Sequence, residues 1–137
     1  MQTIFKVFLL ISILFLACGK ENDVDPDMKK NIIFLHHSTG RNIWIGGTSD
    51  LSYRLSHKGD VQKYFDNYNE KHSTGYSIKN RFFPSETPYG WKNYPYDYYN
   101  IWVKNAGNAP YMEEPTLEIL SSEYDVIIFK HCYPVSN

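Results

Sequence analysis

Two short apolar runs constrain this chain more than any other feature. Ile32-Ile33-Phe34-Leu35 and Val126-Ile127-Ile128-Phe129 are each continuously apolar and rich in β-branched residues. A strand with one face in water alternates polar and apolar side chains, whereas a strand covered on both faces does not. Both runs therefore predict strands of a parallel sheet with helices on either side. The first strand, Asn31 to Leu35, gives way abruptly to His36-His37-Ser38-Thr39-Gly40. Ligands of open α/β sheets sit just beyond the carboxyl ends of strands, so this switch marks the candidate pocket. The last strand reads from Tyr124 to Lys130.

The chain between them reads as helices and one more strand. His36–Gly47 is expected as a loop, because Gly40, Gly46 and Gly47 fall in it. Thr48-Ser49-Asp50 caps a short helix to about Ser56. Asp60 is expected as N-cap of a helix that places Val61, Tyr64, Phe65 and Tyr68 on one face. Ser73-Thr74-Gly75 reads as a turn and Tyr76–Phe82 as the second strand. Pro84, Pro88 and Pro95 mark an irregular, Tyr- and Pro-rich insertion over about residues 84–100. Asp97 as N-cap and Gly107 as C′ residue predict a helix over Tyr98–Ala106, in preference to a strand over Ile101-Trp102-Val103. Glu113–Leu120 reads as a helix with Pro115 in its first turn and acids near the positive end of its dipole. The predicted class is α/β, an incomplete parallel sheet with flanking helices. Its last strand asks for cover that the sequence does not supply, so the expectation is an N-terminal fragment of a longer protein.

The first residues read differently. Val7 to Ala17 is an apolar run of 11 residues broken only by Ser12, behind Lys6. That is short of the roughly 20 residues a bilayer span needs and suits a signal peptide over residues 1–17. Phe15-Leu16-Ala17-Cys18-Gly19 resembles the lipobox of bacterial lipoproteins. The resemblance implies that Cys18 is lipidated and becomes the mature N-terminus, with export to the cell envelope and a membrane as partner. An ordinary signal peptide with an incidental Cys is the alternative. Residues 18–30 then form the lipidated Cys and a polar, acidic tether. Acidic residues after that Cys resemble a surface-export signal of Gram-negative lipoproteins, and a solvated linker explains them equally well. Cys132 is the one other cysteine, so a lipidated Cys18 excludes an intrachain disulfide. With 14 basic and 15 acidic residues the charge gives no case for nucleic acid, and 17% aromatic content argues against disorder.

Residues Ile32–Gly40 also resemble the first block of the SGNH/GDSL hydrolases, in which an apolar strand runs into Gly-Asp-Ser. Aligned on the Ser, His37 takes the Asp position and His36 the Gly position. The resemblance implies a flavodoxin-like, SGNH-type sheet over residues 31–137, with Ser38 as nucleophile and as one oxyanion donor. It makes Asn137, after Tyr124–Phe129, a second oxyanion candidate, although the usual Gly-x-Asn-Asp is absent. Gly107 is a weak candidate for the Gly donor. The family's base, a His preceded by an Asp at Asp-x-x-His, occurs nowhere in the 137 residues. The implied activity is that of an esterase or deacetylase, inactive in the chain as it stands.

Other readings stay open. Ser38 is equally a turn or N-cap residue. His36 and His37 alternate on an extended strand and are poor joint metal ligands; with His131 they read as pocket-lining or structural histidines. No metal or cofactor is expected. Residues 89–102 hold seven aromatics in fourteen positions. Trp91 and Trp102 there either stack on sugar rings or pack the insertion onto the sheet. A non-catalytic lipoprotein that binds glycan or a protein partner through this loop is the rival function.

Overall fold

A computed structural model describes residues 25–91 and 94–130. Three parallel strands, β1 (Lys29–His36), β2 (Gly75–Phe82) and β3 (Val126–Phe129), form one sheet in the order β2-β1-β3. The α/β class expected from the sequence is what the chain forms. β1 is central: Ile32 is in register with Ile78 on one side and Val126 on the other.

The two connections lie on opposite faces. Between β1 and β2 run α1 (Thr39–Ile45), α2 (Asp50–Ser56) and α3 (Asp60–His72). They cover Ile32 and Phe34 of β1 and Ile78 of β2, with Trp44 and Ile45 at the centre of that core. Between β2 and β3 run α4 (Tyr96–Tyr99), a π-helical turn (Asn100–Lys104) and α5 (Leu117–Glu123). These bury Ile33 and Leu35 under Phe83, Tyr98, Ile101, Trp102 and Leu120. Period-two alternation along β1 thus feeds two cores, which is why the run is apolar throughout.

Several boundaries differ from expectation. The expected loop after β1 contains α1, whose Trp44 and Ile45 are buried and hold it on the sheet. Gly40 permits the close approach, since a Cβ there would lie 2.4 Å from the His36 Cβ. Asp60 is the first residue of α3 rather than its cap, which is Gly59. Its carboxylate reaches back to the Gly47 N–H at 2.6 Å and to the Thr48 hydroxyl. Those bonds, Thr48 first, hold it below the usual carboxylate range. Of the predicted face of α3, Val61 and Phe65 pack on the core while Tyr64 is exposed.

Asp97 likewise lies inside α4, which begins after Pro95, and its buried carboxylate accepts from the Tyr89 hydroxyl at 3.0 Å. Gly107 lies beyond the C-cap, Asn105. α5 starts after its cap Thr116, whose hydroxyl accepts from the Ile119 N–H, so Pro115 precedes the helix. β3 was expected to be covered on both faces. Among the described residues it is an edge strand, with Val126, Ile128 and Phe129 more than two-fifths exposed. α1 and α3 stop over β1 and β2 and leave that face of β3 open.

Candidate functional site

The carboxyl ends of β1 and β2 open into a cleft of about 690 Å³ lined by His37, Ser38, Arg41, Phe82, Ser85, Glu86, Thr87 and Trp91. One wall is the turn from β1 into α1. The other is the segment after β2, including Ser85–Thr87 and Trp91. This is the position that the strand-to-loop switch in the sequence marks.

Ser38 occupies the strand-to-helix turn with φ 45° and ψ −115°. That backbone costs a non-glycine residue on the order of 1–3 kcal/mol. It stands at the cap position of α1, yet its side chain makes no capping hydrogen bond. The hydroxyl is exposed and faces the cleft without a hydrogen-bond partner among the described residues. Its geometry is that of an available hydroxyl, not of a helix cap.

The two histidines part company. His37 is buried against the far wall: its Nε2 donates to the Pro84 carbonyl and its ring stacks on the Trp91 indole, centroids 3.6 Å apart and 8° from parallel. It lines the cleft. His36 is fully buried and does not line it. It lies on the opposite face of β1, between Phe34 and Phe82, with Nε2 bonded to the Asn80 amide at 3.1 Å. Its Nδ1 has no partner among the described residues. Burial first, then the positive charge of His37 and of Lys130, pushes its pKa down to about 4. His36 is thus a neutral structural histidine.

Trp102 is also removed from any surface role. It is buried, its indole N–H donates to the Pro115 carbonyl at 3.2 Å, and it packs on Phe83, Tyr98 and Phe129. Gly107 does not lie in the cleft lining, and its N–H is already donated to the Glu118 carboxylate at 3.1 Å. It offers nothing to an oxyanion there. The Ser38 N–H has no acceptor among the described residues and remains open for that role. Cys18, His131, Cys132 and Asn137 lie outside the described residues.

Five cleft residues escaped sequence reasoning: Arg41, Phe82, Ser85, Glu86 and Thr87. Arg41 carries a readable signal once α1 is recognised, because its N–H donates to the Ser38 carbonyl one turn back. The far wall is held by Glu114, fully buried, which accepts from the Ser85 N–H at 2.7 Å and from Arg81 at 3.0 Å. Nothing in the local sequence announces that clamp. Among the described residues no group of three or more His, Cys, Asp or Glu could hold a metal, and no helix is long and apolar enough to cross a membrane.

Fold and cleft together define an α/β protein with a parallel three-stranded sheet and an open site at its strand ends. No protein-family model, curated protein or solved structure matches the chain.

Proposed function

We propose that the chain carries the nucleophile half of an SGNH-like serine esterase or deacetylase, anchored to the bacterial cell envelope through a lipid on Cys18. The observation that supports this most is Ser38: an unengaged hydroxyl on a positive-φ turn between the central strand and α1, on the wall of a cleft of about 690 Å³. The strand order β2-β1-β3, with crossovers on opposite faces, fits the flavodoxin-like sheet this reading requires.

In the reaction the Ser38 Oγ attacks the ester carbonyl carbon while a base takes its proton. The oxyanion is held by the Ser38 N–H, the alcohol leaves with a proton returned by that base, and water then hydrolyses the acyl-serine to release the acid. Among the described residues no base meets the Ser38 Oγ. His37, the nearest candidate in sequence, has its Nε2 turned to Pro84. Removing the base from such a triad costs on the order of 10⁶ in rate, so turnover on this reading depends on a base outside the described residues. In the protein isolated from its own host, Ser38→Ala is expected to bring hydrolysis of a small aryl acetate to background. Unchanged turnover removes Ser38 as nucleophile. Cys18→Ala should shift the protein from the membrane to the soluble fraction.

A second reading, a non-catalytic lipoprotein that holds glycan or a protein partner, draws on the aromatic segment. Tyr96 and Tyr99 are exposed with ring centroids 5.5 Å apart, and Trp91 lines the cleft. Trp91→Ala should then weaken glycan retention in affinity electrophoresis; a parent protein that retains no glycan ends this reading.

A further inference from the structure

We propose that the Ser38 cleft selects ligands bearing a carboxylate or phosphate, which it holds on Arg41. This rests on the cleft being the substrate site; for an esterase it means that the preferred esters carry a second, anionic group.

Three observations carry the assignment. Arg41 lies in the first turn of α1, its N–H donating to the Ser38 carbonyl at 2.9 Å, so guanidinium and nucleophile share one wall. Among the described residues the guanidinium has no carboxylate within ion-pair distance, whereas Arg81 is paired with Glu114. A guanidinium is always charged and only donates; its fork matches two oxygens of a carboxylate or phosphate.

Ser85 lines the other wall, where its Oγ is shielded from solvent and has no hydrogen-bond partner among the described residues. A buried hydroxyl left unpaired is costly, and a turn about χ1 would bring it to an oxyanion in the cleft. The Glu114 clamp fixes that residue, because the Ser85 N–H is tied to a carboxylate with no solvent exposure.

The third observation is the wall between them. Phe82 and Trp91 are apolar, and the Trp91 indole is held flat against His37. These rings offer a surface to the aromatic body of a ligand whose anionic group meets the exposed Arg41. Glu86 also lines the cleft and opposes an anion. Its removal should therefore tighten anion binding, a sign that a generic surface Arg would not produce.

Tryptophan emission reads occupancy, since Trp91 lines the cleft while Trp44 and Trp102 are buried in the two cores. Full-length Ser38→Ala protein, which has no nucleophile, is titrated with benzoate, phenyl phosphate and benzamide. Both anions should bind at least about tenfold more tightly than the neutral amide. Arg41→Gln should erase that difference, and Glu86→Gln should tighten both anions. The better of benzoate and phenyl phosphate identifies the anion. Equal or undetectable binding of the three probes overturns the proposal, as does a preference that survives Arg41→Gln. Selective binding of benzyltrimethylammonium that Glu86→Gln removes would make this a cation site and overturn it too. The hydrolase reading fails separately: anion selectivity with no Ser38-dependent ester hydrolysis in the native protein keeps the anion site and discards the esterase.

Discussion

His36 sits on the central strand with one ring nitrogen bonded to Asn80 and the other without a partner among the described residues. Its pKa of about 4 lies below the 6.5 of a free imidazole. Above pH 6.5 the ring is neutral whether the chain is folded or not. As pH falls toward 4, the unfolded chain takes up a proton that the folded protein refuses, so stability drops by about 3 kcal/mol. Urea unfolding across that window should show this loss, and His36→Asn should flatten the corresponding part of the profile. A slope unchanged by His36→Asn would place the acid sensitivity elsewhere. Beside it, Gly40→Ala sets a Cβ 2.4 Å from the His36 Cβ. That overpacking should cost about 1–3 kcal/mol in the same assay. The two tryptophans of the aromatic segment separate in the same way: Trp102→Ala should destabilise by about 3–5 kcal/mol, as for a core residue, and Trp91→Ala by far less. The sequence placed both in one aromatic stretch because composition reports ring content, not which ring meets the sheet.

At the level of elements, the strands were legible and several helix ends were not. Continuous apolar runs define β1 and β3 because both faces of the sheet select the same side chains along β1. α1 was hidden by its glycines, which in fact serve contact: Gly40 admits His36, and Gly46, at φ 62°, closes the helix beside Asp60. Asp60 and Asp97 were both read as caps from residue type alone. Each carboxylate has a distant partner instead, Gly47 and Thr48 for one and Tyr89 for the other. Tertiary hydrogen bonds outcompeted local capping. The far wall of the cleft depends on another such bond. Glu114→Ala leaves the Ser85 N–H without an acceptor, while half-exposed Arg81 can turn to water. Glu114→Ala should therefore cost about 1–3 kcal/mol for the orphaned amide, and Arg81→Ala, which strands a fully buried carboxylate, about 3 kcal/mol or more; hydrogen exchange at the Ser85 amide should accelerate only in the former. An Arg81→Ala loss near zero would mean that Glu114 needs no cationic partner to hold the wall.

For the whole molecule, the sheet is asymmetric. β2 and β1 lie beneath α1 and α3, while β3 presents Val126 and Ile128 without helical cover among the described residues. Parallel strands normally have both faces covered, and exposed apolar edges promote association. A charge there should be tolerated where the same charge in the core is not. Ile128→Lys should change stability by less than about 1 kcal/mol and lower the sedimentation-average mass at high concentration. Ile33→Lys, on the covered face, should abolish folding. Equal damage from the two would show that Ile128 is buried in solution.

The strand order also imposes a timetable. β1 is made first and sits in the middle, yet Lys29 meets its nearest partner at Gly75 and Ile32 meets its other partner at Val126. No strand pairing exists until synthesis has passed Gly75, and the central strand is flanked on both sides only when the chain has reached Phe129. Sheets closed by such distant pairings form slowly, because loop entropy is lost before any ladder bond is gained. A chain made from its N-terminus would therefore expose Ile32–Leu35 through most of its synthesis, and would gain from a holding chaperone until those pairings close.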